Sequence, residues 1–242
     1  MNLPIKFIKD IQKDWLYYLI FIVNFFLILY ILAEACPKIE TNIVNSYEDI
    51  MNELQTGDLI LFSCEDFISK GIRYTLNSTY SHGGIIIRDT SNKLLILECD
   101  MTNSYDFLSK KKVKTGAHLL DLKEKIYEYD GTKFGYRKLI SNHKLNNKTF
   151  HKIFKEAINI SFQHNWVTWM AAHFKANKIG DILKKKNTMF CTQYIADVYI
   201  KLGILSKDVK SHLITPADFE KDNLKLNSGF KFGPIINFRT YK

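Results

Sequence analysis

The chain has 242 residues, a formal net charge of +9 and 46% apolar residues, with eleven glycines and four prolines. This composition excludes a disordered chain, a collagen-like repeat and an array of short turns. The lysine runs at 110–112 and 184–186 are short and read as solvated loops; no basic-aromatic motif accompanies them, so no nucleic-acid partner is expected.

In chain order, a charged tail over 1–14 precedes the apolar run Trp15–Ala33, interrupted only by Asn24. As a helix that run covers roughly 28 Å, close to the thickness of a bilayer's hydrocarbon. Trp15, Tyr17 and Tyr18 at its start suit a membrane interface. Residues 15–35 are therefore expected to be a transmembrane signal anchor, with the lipid bilayer as partner. Lys6, Lys9 and Lys13 lie before the run and only Lys38 closely after it. That bias keeps the 1–14 tail cytoplasmic and makes the protein single-pass, with its domain on the extracytoplasmic side. Ala33-Glu34-Ala35 before Cys36 leaves a cleaved signal peptide as the alternative. Asn77, Asn147 and Asn159 stand in N-x-S/T triplets, which matter only if the domain is lumenal.

Residues 36–53 read as a linker and short helix, with Ser46 as its N-cap, and 54–242 as the folded domain. Gly57-Asp58 turns the chain into a short buried strand, Leu59–Phe62. Residues 67–76 fit a helix. His82–Arg88 and Leu94–Leu97, joined by the turn-rich 89–93, read as a hairpin. Ala117–Leu122, Lys133–Ile140 and Phe230–Phe238 are further strand candidates. Lys148–Phe162 and Cys191–Leu202 carry apolar stripes at helical spacing, the second ended by Gly203. Residues 163–186 show weak patterning and stay unplaced. The mixture is an α+β fold.

The cysteines are Cys36, Cys64, Cys99 and Cys191, with no Cys-x-x-Cys and no His-Glu-x-x-His. Neither a zinc site nor a disulfide framework is expected, and no cofactor is implied. Cys191 opens a helix, where unbonded N–H groups and the helix dipole favour a thiolate. It also lies on that helix's apolar stripe, so an inert core cysteine is the competing reading. His82 begins a strongly apolar strand; it is either a structural histidine or a base. Glu98 ends the neighbouring strand of the hairpin, within cross-strand reach of His82, and a carboxylate after four aliphatic residues needs a partner if buried.

Gly57-Asp58-Leu59-Ile60-Leu61, Tyr80-Ser81-His82-Gly83-Gly84-Ile85, Glu98 and Phe190-Cys191-Thr192-Gln193-Tyr194-Ile195-Ala196 occur in that order. Together they resemble the circularly permuted papain-like hydrolases of the NlpC/p60 superfamily, in which a late cysteine opens a helix after a Ser-His-x-Gly-Ile strand. The YiiX/YebB-like and poxvirus-type branch is the part of the family resembled, and members occur in bacteria and large DNA viruses. Thr215-Pro216-Ala217-Asp218 is similar to a proline-containing segment after the cysteine helix. The resemblance implies an antiparallel sheet packed on helices and a cysteine hydrolase with Cys191 as nucleophile, His82 as base and Glu98 as orienting group. It implies cleavage of an amide or peptide bond. A lipid acyl hydrolase or acyltransferase, and a non-catalytic binding protein of the same fold, stay open. Asp58 reads as a turn residue; Tyr80 is a weaker candidate for lining the site. The second glycine of the His82 motif and the 163–186 insert depart from the family pattern, and the substrate is undefined.

Overall fold

The computed structural model describes residues 45–240 except 102, 103, 108, 114, 130, 132, 143, 144, 146, 158 and 186, together with helical residues 19, 20, 23, 24, 26, 27, 30 and 31. The chain divides into two compact units, Met1–Ile39 and Glu40–Lys242. Among the described residues no helix is long and apolar enough to cross a membrane. This overturns the expected single-pass membrane localisation and its transmembrane helix. The 1–14 tail, the Ala33-Glu34-Ala35 pattern, Cys36 and the remainder of 15–35 lie outside the described residues.

The second unit begins with β1 (Asn45–Ser46) and α1 (Tyr47–Ile50), where Ser46 and Asp49 cap each other reciprocally. Gly57, at φ +97°, makes the turn into β2 (Leu59–Ser63). Then come α2 (Phe67–Leu76), β3 (His82–Arg88) and β4 (Leu94–Asp100), the last two forming the expected hairpin. A short ribbon of β5 (Ser104–Tyr105) and β6 (Lys112–Val113) precedes β7 (Gly116–Asp121). The chain continues through α3 (Leu122–Glu128), β8 (Lys133–Ser141), α4 (Asn147–Ala157) and β9 (Ser161–Phe162). The unplaced stretch becomes α5 (Trp166–His173) and α6 (Asn177–Leu183), followed by β10 (Thr188–Met189). Last are α7 (Cys191–Lys201), a 3-10 turn at Ser211–Leu213, α8 (Pro216–Glu220) and β11 (Phe230–Arg239).

Seven strands form one sheet in the order β1-β11-β8-β2-β3-β4-β7. Its pairs are antiparallel except β1 with β11, which are parallel, so the sheet is mixed where an antiparallel one was expected. The strand period of two sends alternate residues to two cores. Leu59, Leu61, Ile85, Ile87, Leu95, Leu97 and Cys99 pack with α4 and α7, while Ile60, Phe62, Ile86 and Ile96 pack with α1 and α3. The fold is α+β.

Gly83 sets how closely α7 can lie on β3. A Cβ there would stand 3.2 Å from the Ile60 carbonyl oxygen, 3.2 Å from Leu61 Cδ2 and 3.3 Å from Ile195 Cδ1. The carbonyl cannot move without breaking the β2–β3 ladder, so the helix must give. Gly83→Ala is expected to cost about 1–3 kcal/mol as an overpacked contact. Denaturant unfolding checks this: a midpoint equal to that of the wild type would show that α7 is not held by this contact.

Candidate active site

His82 is the first residue of β3, opposite Phe62 of β2, with ring centroids 5.4 Å apart. Ile85 of β3 pairs with Leu97 of β4, which puts Glu98 diagonally across from His82 on the same side of the hairpin. Glu98 is fully buried, and its Oε2 lies 2.7 Å from His82 Nε2. The carboxylate that the sequence left in need of a partner has found one.

Cys191 arrives from a different element. Phe190 is extended, at φ −94° and ψ 170°, and places no side-chain cap over the helix start. The first backbone N–H groups of α7 therefore lack intrahelical partners and surround the residue that opens the helix. Two ties hold this terminus: Thr192 Oγ1 donates to the Ile214 carbonyl at 2.8 Å, and the Cys99 thiol donates to the Met189 carbonyl at 3.2 Å. Cys191 lies near enough to His82 to be the first of the groups that raise the ring's pKa. Since Nε2 is taken by Glu98, the ring nitrogen left open is Nδ1. Cys191 and His82 are nearly buried, each with 8% of its surface exposed.

Burial opposes a charge on His82, but Cys191, Glu98 and Asp100 outweigh it and push its pKa up to about 10. Burial likewise opposes the Glu98 carboxylate. Lys125 first, then His82, with hydrogen bonds from His118 and His82, nonetheless hold it well below the usual carboxylate range.

Three members of this cluster escaped the sequence analysis. His118, fully buried on β7, lies 3.1 Å from Glu98 Oε1 through its Nε2. Lys125, on α3, reaches across to Glu98 Oε1 at 2.6 Å and Asp100 Oδ2 at 2.7 Å. Asp100 ends β4 and also accepts the Met101 N–H at 2.6 Å. A helix at 122–128 was not expected, so nothing pointed Lys125 inward. His118 did leave a trace, since it is a polar residue between the apolar Ala117 and Leu119 and pairs in register with Glu98. His82, Glu98 and Asp100 offer donor atoms within 4.8 Å of one another. Lys125 already bonds both carboxylates, so a metal ion would have to displace its ammonium.

The other residues singled out in the sequence lie in structural positions. Asp58 accepts from the Gln55 and Leu139 N–H groups at 2.8 and 2.9 Å and from the Tyr136 hydroxyl at 2.9 Å, clamping the start of β2 to β8. The Tyr80 hydroxyl donates to Asn237 on β11. Thr215 and Asp218 cap α8 reciprocally, and Asp218 also pairs with Lys175 at 2.5 Å. Cys64 and Cys99 are buried thiols whose pKa values burial raises.

No family model matches the chain. An uncharacterised protein of Acanthamoeba polyphaga mimivirus is 25% identical over 236 residues, covering 88% of this chain and 92% of its own. Among solved structures, the metalloprotein YiiX of Escherichia coli aligns over 78% of this chain and 99% of its own, with a TM-score of 0.43 and 14% identity.

Proposed function

We propose that the protein is a cysteine hydrolase that cleaves an amide or peptide bond through Cys191, His82 and Glu98. One observation carries the reading. The His82 ring bonds a buried carboxylate at 2.7 Å and lies within electrostatic reach of the cysteine that opens α7. A nucleophile, a base and a group that orients the base are what acyl transfer requires. The order His82, Glu98, Cys191 along the chain also agrees with the permuted papain-like motifs.

In this mechanism His82 takes the proton of Cys191, giving a thiolate–imidazolium pair. Glu98 holds Nε2–H and keeps Nδ1 directed at the sulfur. The thiolate attacks the acyl carbon, and the backbone N–H of Cys191 donates to the developing oxyanion. His82 gives its proton to the departing amine, then takes one from water as the thioester is hydrolysed. The lipid-acyl alternative drew on a membrane helix that would bring the enzyme to its substrate. With that localisation overturned, the amide reading is preferred.

An acylating thiol probe tests the proposal. Wild-type protein is expected to be labelled on Cys191, as read by peptide mass spectrometry, and Cys191→Ala to lose that label while Cys99→Ala keeps it. Equal labelling of wild type and Cys191→Ala would leave only a non-catalytic protein of this fold.

A further inference from the structure

Glu98 is surrounded by more than a triad requires. Its Oε2 meets His82, while its Oε1 takes Lys125 at 2.6 Å and His118 at 3.1 Å. The Lys125 ammonium, with only 9% of its side chain exposed, is shared with Asp100 Oδ2 at 2.7 Å and lies over the Phe62 and Tyr129 rings at 5.9 and 5.5 Å. An isolated buried ammonium is costly, and so is an isolated pair of buried carboxylates. Here the charges answer each other: two carboxylates and one ammonium leave a single negative charge beside the His82 ring.

We propose that Lys125 and Asp100 are positioning residues of this site: the Lys125 ammonium, clamped between the two carboxylates, locks Glu98 with its free oxygen on His82, and Asp100 adds the second negative charge that keeps the ring protonated. The inference rests on the Cys191–His82 reading but reaches residues outside it. The charged groups that act on His82 are Cys191 on α7 and Glu98 and Asp100 on β4, and Glu98 in turn meets His118 on β7 and Lys125 on α3. Lys125 is the strongest of the partners that keep Glu98 ionised. Without it the carboxyl takes up a proton at higher pH, the ring loses its anionic partner, and Cys191 loses its reactive form.

The pH profile of Cys191 alkylation by iodoacetamide, followed on the Cys191 peptide by mass spectrometry, reads this without any substrate. In Lys125→Met the acid limb is expected to rise by about one pH unit or more, whereas Lys125→Arg, which retains the charge, keeps it near the wild-type position. A folded Lys125→Met protein with an unmoved acid limb overturns the proposal. Asp100 is less enclosed than Glu98, and Asp100→Asn provides a second route should Lys125→Met fail to fold. There the His82 ring titration, followed by NMR, is expected to move down by about one unit; an unshifted titration overturns the proposal as well. Failure of the hydrolase reading looks different: the alkylation profiles would shift as described, while the acylating probe would label Cys191→Ala as well as wild type.

Discussion

His82→Ala is expected to lower amide turnover on the order of 10⁴-fold, the upper end of what a positioned general base contributes. The thiol of Cys191 would keep its place at the start of α7, because that place depends on Thr192 and on the packing of Ile195 against Gly83, not on the ring. The loss should therefore fall on kcat and on thiol reactivity, and stability should fall too, because the buried Glu98 loses one of its cationic partners. Glu98 would still have Lys125 and His118. Added imidazole is expected to restore part of the rate by entering the space the side chain vacates. Steady-state kinetics with a fluorogenic amide substrate, together with a denaturant melt, check both halves. Turnover within tenfold of wild type would remove His82 from the mechanism.

Glu98→Gln should cost more stability, and activity as well. The substitution keeps the shape and removes the charge, so Lys125 is left with Asp100 alone and the imidazolium of His82 loses its bonded anion. Breaking a buried ion pair from one side costs roughly 3–5 kcal/mol, read as a lower denaturant midpoint at unchanged slope. The pH dependence gives the sign independently. The Glu98 carboxyl is held below its ordinary value of 4.5, so its contribution is present above that value and is lost as pH falls through the depressed one. His82 is raised from 6.5 to about 10, so its contribution is full below 6.5 and is lost as pH rises through about 10. Wild-type stability should therefore weaken at both ends. Glu98→Gln should flatten the acid limb and pull the alkaline loss to lower pH. A midpoint within about 1 kcal/mol of wild type would show that the buried cluster is not stabilised by this carboxylate.

Much of the fold was legible in one dimension because it depends on local periodicity. The 82–88 and 94–100 hairpin, the strand at 59–63 and the helix from Cys191 each bury a face whose spacing is written in consecutive residues. The C-cap at Gly203 was equally readable, since a φ of +71° suits glycine. Other elements were misread for a physical reason. Lys148–Phe162 carried one helical stripe, but the helix stops at Ala157, and Ser161–Phe162 pairs instead with Thr188–Met189. That pairing is made with residues more than twenty positions away and leaves no local trace. The apolar run at 15–33 met the length rule for a membrane helix, yet no helix among the described residues satisfies it.

For the site the division is sharper. The sequence alone singled out Cys191, His82 and Glu98, paired Glu98 with His82 across the hairpin, and joined Cys191 to them only through their order along the chain. Tertiary structure decided which side chains meet: Glu98 turns one oxygen to His82 and the other to Lys125 and His118. Lys125 lies on a short helix the periodicity did not show, and Asp100 ends a strand like many exposed acids. Charge compensation in a buried cluster is a property of distances between elements. Those distances depend on how α3 and α7 pack on opposite faces of one sheet, which no run of neighbouring residues encodes.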